Sequence, residues 1–318
     1  MDASEMSFGI LLLLQIIIGI WSNVFLLLVC SRMVFTSHEM YPSDLILVQL
    51  ALANTIILLT LGIPETMSSW GLKNFLDSFG CKILLYLYRV GRGLVISTTC
   101  LLSIFQAVTI SPSRPWWAEV KAILPRSILP SCLFSWVLSL LIEVTTPMYM
   151  ERSCNLTNIQ MTFIMKYCYS ISPITVTTLV NTVVLSLRDL FFVGLMSMAS
   201  GYMVFVLHRH HQQVQHFSGS GRSPRMMPEV RAAKNVVTLV TLYVLLYGQG
   251  TVTLSILVNM REKSPRLVNY SKILSFTFSA ISPFLIIHSN QRVRMFGRRT
   301  PPISNLNSTP APNQVVCP

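Results

Sequence analysis

Two arginines, Arg89 and Arg92, interrupt a long apolar run from Ile83 to Ile110. Three residues apart, they project from one face of a helix. A guanidinium inside hydrocarbon is costly, so it faces a bundle interior and finds a partner or a polar cavity. Asp189, and Glu143 at the end of another apolar run, are the acids able to neutralise them. The chemistry on offer is recognition: a polar ligand contact, or an ion pair that orients helices. For Arg188 and Asp189 the orienting role fits better, and such a pair is in itself weak evidence of stabilisation. Tyr243, Tyr247 and Gln249 add hydrogen-bonding groups to a later apolar run. They read a ligand or bridge helices.

Catalytic constellations are absent from the sequence. There is no HExxH, no GxSxG and no pair of carboxylates at mid-span, so an intramembrane enzyme is not expected. None of the seven cysteines forms a CxxC pair, which removes zinc and thioredoxin chemistry. Cys30, Cys100 and Cys132 fall inside apolar runs and read as small core residues. His208, His210, His211 and His216 cluster without carboxylate or thiolate neighbours, and read as a solvated basic helix end rather than a metal site. No cofactor is implied.

The elements that must position these groups follow from hydropathy. The chain of 318 residues is 52% hydrophobic and only 11% charged. A water-facing domain carries about 25% charged residues. Seven apolar runs approach the roughly 20 residues a helix needs to cross a bilayer. They are Phe8–Cys30, Leu45–Ile63, Ile83–Ile110, Ser127–Ile142, Ser186–Leu207, Val236–Met260 and Ile273–His288. The fourth is short, with Pro125 and Pro130 at its start, and the seventh contains Pro283. The expected fold is an all-α, seven-transmembrane helix bundle. The acidic start, Met1–Ser7, lacks the basic region of a cleavable signal peptide, so the first run is expected to act as an uncleaved anchor.

Charge sets the orientation. The net charge is +12, which in a water-soluble protein would point to nucleic acid. Here the basic residues lie between apolar runs and mark the cytoplasmic side, where anionic lipid headgroups sit, so no nucleic-acid partner is expected. With the N-terminus outside, the inner segments hold 13 Lys and Arg and the outer segments seven. The organisation is then an extracellular N-terminus over 1–7, a bundle over 8–290 and a cytoplasmic tail over 291–318. The Pro/Asn/Ser-rich tail has a disordered composition. The inner loops, Arg114–Arg126 and His208–Lys234, are basic, and positive-inside topology alone accounts for their charge.

In the same orientation Cys81 and Cys168 face the oxidising side, and a bridge between them would pin the loop before the fifth run over the bundle. Cys154 is the rival partner for Cys81. Asn155-Leu156-Thr157 is an N-glycosylation sequon in that loop. Arg89 and Arg92 lie about 12 and 16 Å below Cys81 at 1.5 Å per residue. A small ligand would sit between helices at that depth.

Several stretches resemble the vomeronasal type-1 receptors, within the rhodopsin-like G-protein-coupled superfamily. Asp44-Leu45-Ile46-Leu47 followed by Leu50-Ala51-Leu52-Ala53-Asn54 resembles their second helix. Arg89-Val90-Gly91-Arg92-Gly93, Cys100-Leu101-Leu102 and Phe105-Gln106-Ala107 resemble the third. Leu187-Arg188-Asp189 and Ala199-Ser200-Gly201-Tyr202-Met203-Val204 resemble the fifth, and HHQQVQH from His210 the segment after it. Ser282-Pro283-Phe284 is similar to the seventh-helix proline motif. The resemblance implies a plasma-membrane chemosensory receptor for a pheromone or other small semiochemical, coupled to a Gi/Go heterotrimer. It implies Cys168 as partner of Cys81, leaving Cys154 unpaired. Arg89, Arg92, Asp189, Tyr243 and Tyr247 are the ligand-pocket candidates. Gln106, Arg114, Arg209 and His210 are the candidates facing the G protein. Phe105-Gln106-Ala107 stands where most rhodopsin-like receptors have Asp-Arg-Tyr, and Asn54 where they have the sodium-binding Asp, so neither the usual ionic lock nor sodium regulation is expected. A bitter-taste-type receptor is the nearest alternative, and a small-molecule transporter the rival from another class. The seventh run has no central Lys for a retinal Schiff base, since Lys272 lies at its edge.

Overall fold

A computed structural model of the chain describes residues 3–37, 41–72, 76–112, 115–144, 150–152, 168–170, 176–217, 228–259 and 265–289. The elements run α1 (Ala3–Ser37), α2 (Pro42–Ile57), a π-helical turn (Leu58–Gly62), α3 (Ile63–Ser69), α4 (Ser78–Ile110) and α5 (Pro115–Ile142). Two short strands follow, β1 (Met150–Arg152) and β2 (Cys168–Ser170), then α6 (Val176–Phe217), α7 (Pro228–Asn259) and α8 (Pro265–Ser289). Among the described residues, seven helical stretches are long and apolar enough to span a bilayer, the second being α2, the π turn and α3 in succession.

The helices overrun the apolar runs. Helix α5 starts at Pro115 rather than Ser127, α6 at Val176 rather than Ser186, and α8 at Pro265 rather than Ile273. Hydropathy marks only the part within lipid, whereas each further residue adds a backbone hydrogen bond to a helix already nucleated. Four helices open on a proline: Pro42, Pro115, Pro228 and Pro265. At the first helical position the missing N–H is one that would lack a partner anyway. Other ends are capped. Gly71, at φ 86°, closes α3, with Leu72 N–H donating to Met67 O and Gly71 N–H to Ser68 O, both at 3.2 Å. Asp77 opens α4 by accepting from Gly80 N at 2.9 Å.

Helix α4 is central, packing against α2, α5, α6 and α7. Its Leu94 and Ile96 are buried with Leu50, Met196, Leu239 and Phe276. Leu11, Trp21, Leu133, Leu187 and Phe191 lie on the outside, where lipid covers them. The strands β1 and β2 pair antiparallel, with Arg152 opposite Cys168, and β1 lies against α4. This hairpin is absent from the hydropathy reading, because three-residue strands carry almost no periodicity.

The internal prolines need separate accounts. Pro125 and Pro130 do not open the fourth span, as expected, but lie inside α5. They strip the backbone donors from Lys121 O and Arg126 O, one turn earlier, while the Ser127 and Ser131 hydroxyls bond back to the neighbouring carbonyls Ile123 O (3.2 Å) and Ser127 O (2.7 Å). Pro283 strips the donor from the carbonyl four residues before it, that of Ser279. Asn23 of α1 supplies the replacement, donating to Ser279 O at 2.9 Å. Asn54 of α2 donates to Ser282 Oγ at 2.9 Å, so three helices meet around the proline. Pro64 likewise removes the donor for Thr60 O, and the chain widens there into the π turn. Beyond the turn Glu65 is buried and meets Lys272 of α8.

Two outcomes follow. Asn23→Ala strips the donor from Ser279 O and costs about 1–3 kcal/mol. Adding Pro283→Ala, which restores a backbone N–H, recovers part of that loss in a double-mutant cycle read by thermal unfolding of purified protein. Glu65→Gln leaves Lys272 without its counter-charge and lowers the unfolding midpoint, at a cost on the order of 3 kcal/mol. The reversed pair Glu65→Lys with Lys272→Glu regains much of it in the same assay.

Candidate functional site

The run Arg89-Val90-Gly91-Arg92-Gly93 lies in the outer half of α4, and its two glycines have packing roles. A Cβ at Gly91 would stand 3.1 Å from Ile57 Cγ1 and 3.4 Å from Ala53 O, so glycine lets α2 approach. A Cβ at Gly93 would stand 2.9 Å from Ser139 Oγ and 3.1 Å from Arg188 Nη1. Glycine there leaves the room into which α6 sends Arg188.

Arg188 is the hinge of an ion network. Its Nη1 donates to Glu143 Oε1 at 3.2 Å. Its Nε and Nη2 donate to Asp189 Oδ1 at 3.1 and 3.0 Å. Arg89 Nη1 lies 3.6 Å from Glu143 Oε2. Arg92 Nη2 donates to Asp189 Oδ2 at 3.1 Å. The Tyr247 hydroxyl of α7 donates to the same oxygen at 3.3 Å. Both carboxylates and Arg188 are buried, whereas the Arg92 side chain is 45% exposed. Thus α4, the end of α5, α6 and α7 are joined by charge in a region where an unpaired ion is expensive.

The exposed side of Arg92 faces a cavity of about 200 Å³. Its polar lining includes Arg92, Tyr88, Tyr243, Tyr247, Ser271 and Ser275. Its apolar lining includes Ile57, Val95, Leu246, Leu274 and Phe278. The Arg92 guanidinium lies over the Tyr247 ring, 5.5 Å from its centroid. Tyr247 stacks on Tyr243 at 6.1 Å, and Tyr243 meets Phe278 edge-on at 4.9 Å. Arg92, Asp189, Tyr243 and Tyr247 therefore stand together, while Arg89 points to Glu143 and does not line the cavity.

Tyr88, Ser271, Ser275 and Phe278 escaped the sequence reading. A signal existed: Tyr88 and Arg92, Tyr243 and Tyr247, and Ser271 and Ser275 are each four apart, hence on one face of their helices. The Glu65–Lys272 contact had no such signal, because the π turn resets the face that Glu65 presents.

At the inner end, Ser111 closes α4. Its hydroxyl meets Tyr202 Oη of α6 at 3.0 Å, and its carbonyl accepts from Lys121 Nζ of α5 at 2.7 Å. Trp117 packs on the Tyr202 ring at 5.8 Å. Gln106 is half-buried on α4, and Arg209 and His210 are exposed at the inner end of α6. Arg114 and Asn155 lie outside the described residues. Cys81 is buried and disulfide-bonded. Of Cys168 only the backbone is described, on β2.

The comparisons with known proteins agree with this architecture. Residues 6–299 match the Vomeronasal organ pheromone receptor family. Vomeronasal type-1 receptor 3 of Homo sapiens is 37% identical over 299 residues, 93% of this chain and 95% of that receptor. Vomeronasal type-1 receptor 4 of Homo sapiens is 34% identical, over 90% and 95% of the two chains. Olfactory receptor class A-like protein 1 of Danio rerio is also 34% identical, over 90% of each. A match that takes in every spanning helix, the arginine run of α4 and the proline of α8 is a match of whole receptors, not of a shared fragment. The chain belongs to the vomeronasal organ pheromone receptor family, whose members are multi-pass proteins of the plasma membrane that act as receptors and not as enzymes.

Proposed function

We propose that this receptor binds a pheromone or other small semiochemical in the cavity between α2, α4, α7 and α8, and that binding activates a Gi/Go heterotrimer at the inner face. One observation carries the reading. The cavity wall and the ion network share Arg92 and Tyr247, so a ligand touching either side chain acts on the ties between α4, α6 and α7. A ligand that favours the arrangement with those ties altered shifts the population toward it. The volume, below the roughly 300–1,000 Å³ of drug-sized sites, suits a small molecule. Gln106, Arg209 and His210, with Arg114 of the second inner loop, supply the polar and basic surface for the G protein.

The extracellular closure belongs to the same proposal. Cys168 is the partner of Cys81: β2 carries it beside β1, and β1 lies against α4, whose first turn holds Cys81. The bridge holds the hairpin over the outer mouth of the bundle. Asn155, in the same loop, carries a glycan.

Peptide mapping of the non-reduced receptor is expected to link Cys81 with Cys168. Cys81→Ser and Cys168→Ser lose surface expression to the same extent, while Cys154→Ser keeps it; a Cys81–Cys154 peptide would reverse the assignment. Purified receptor reconstituted with Gi or Go is expected to accelerate GTP exchange when exposed to vomeronasal stimuli, and with Gs or Gq to leave it unchanged. Ligand flux into vesicles without exchange on any G protein would identify a transporter instead.

A further inference from the structure

The two oxygens of Asp189 have different owners. Oδ1 is held by Arg188, its neighbour on α6, through two donors at 3.0 and 3.1 Å. Oδ2 is held from across the bundle, by Arg92 of α4 at 3.1 Å and Tyr247 of α7 at 3.3 Å. Those two donors also line the cavity. Removing them from Oδ2 leaves Asp189 still paired, because Arg188 remains. Glu143 is unaffected, since its arginines are Arg188 and Arg89. Arg92 alone would lose its counter-ion.

That loss is made good by an anion arriving in the cavity. Among the described side chains of the network, three guanidinium groups face two carboxylates. Arg92 is the most exposed of the three, at 45%, and the one that faces the cavity. A ligand acid group on Arg92 and Tyr247 would exchange one set of charge-assisted hydrogen bonds for another. No ion is left bare in the interior. A cationic ligand would meet an uncompensated guanidinium, and a neutral one could not replace the carboxylate. Beyond the acid group, Val95, Leu246, Leu274 and Phe278 offer an apolar wall. The cavity of about 200 Å³ limits the body to something near a single ring.

We infer that the site takes a small amphipathic monoanion, a carboxylate or sulfonate on a compact apolar body, whose acid group displaces Asp189 Oδ2 from Arg92 and Tyr247. The inference rests on the reading of this cavity as the ligand site and adds to it a chemical class and a mode of action. The displaced contacts are the hydrogen bonds to Asp189 of α6 from Arg92 of α4 and Tyr247 of α7, so binding loosens α6 from both helices at the outer end. The ligand thus substitutes for a protein carboxylate.

The test uses the full-length receptor in lipid nanodiscs, with benzoate, benzenesulfonate, benzamide and benzylamine as matched probes. Affinity is read from ligand-dependent shifts in the unfolding midpoint. Both anions are expected to bind at least about tenfold more tightly than benzamide, the worth of a charge-assisted over a neutral contact. Benzylamine does not bind. Arg92→Gln removes the preference, and Arg92→Lys, which keeps the charge and guards against a fold defect in the first variant, retains part of it. Asp189→Asn removes the competing charge and tightens anion binding several-fold. Equal binding of benzoate and benzamide, weaker anion binding by Asp189→Asn, or no anion binding at millimolar concentrations overturns the inference. G-protein exchange is scored separately. Anion binding without exchange counts against the receptor mechanism alone, and exchange driven by neutral ligands with no anion preference counts against this inference alone.

Discussion

Arg188 holds two carboxylates with one guanidinium, and the placement of α6 depends on it. Within lipid there is no hydrophobic force to press one helix on another, so packing and polar contacts must choose the arrangement. Helix α6 has little apolar packing to offer: only 11% of its most apolar stretch is buried, with Met196 and Met203 its largest buried apolar side chains. Its outer half exposes Leu187, Leu190 and Phe191 to lipid. Between them, Arg188 and Asp189 point inward and find charges on α4 and at the end of α5. Rotating α6 by one residue would drag an ion into hydrocarbon. The network therefore selects one orientation of α6, whatever its net contribution to stability, and Gly93 is the vacancy that makes the selection possible.

The polar contacts are layered along the bundle axis, and the layers join different helices. The ion network ties α4, α5, α6 and α7, while Glu65–Lys272 ties the outer ends of α3 and α8. The middle layer is amide and hydroxyl: Asn23, Asn54 and Ser282 around the proline of α8, with Gln49 of α2 bonded to Thr98 of α4 at 2.9 Å. The inner layer is Ser111, Tyr202 and Lys121. Charge is thus concentrated at the outer end, around the cavity. The cavity opens between the helices that the middle layer fixes and those that the ion network fixes, so a ligand there touches the boundary of two rigid groups.

How far the sequence reveals this depends on whether a feature is local. The seven spans were legible because apolar length is summed over about 20 residues and tolerates any single exception. Arg89, Arg92 and Asp189 were legible because a charge in an apolar run has few reasons to be there. The partnerships were not. Arg89 and Arg92 are alike in type and three residues apart, yet one meets Glu143 and the other lines the cavity. Which of them does so depends on the rotation of α4 against α5 and α6, and spacing within α4 does not carry that. Glu65 was hidden for a related reason. A single π turn shifts every later side chain round the axis, so a regular helical count from Asp44 misplaces it. The role of Asn23 was invisible until Pro283 had a neighbour, because a freed carbonyl is a vacancy in three dimensions.

On the proposed reading of the cavity, the inner end bears on where control resides. Helix α4 carries no arginine there to form a charged lock, since Phe105-Gln106-Ala107 occupies that turn. Among the described residues, the polar contact that joins α4 to α6 there is the hydroxyl pair of Ser111 and Tyr202, with the Trp117 ring of α5 against Tyr202. A neutral hydrogen bond of this kind is worth about 0.5–1.5 kcal/mol, against about 1.5–3 kcal/mol for one to a charged group. The outer ties from Arg92 and Tyr247 to Asp189 are of the second kind, and both end on one oxygen. An arrangement held weakly inside and strongly outside is governed from outside. If the proposed ligand site is right, altering the contacts of Asp189 Oδ2 outweighs a rearrangement of the inner hydroxyls. On that proposal the receptor needs no charged latch against the G protein, because the stronger restraint sits at the wall of the proposed ligand cavity.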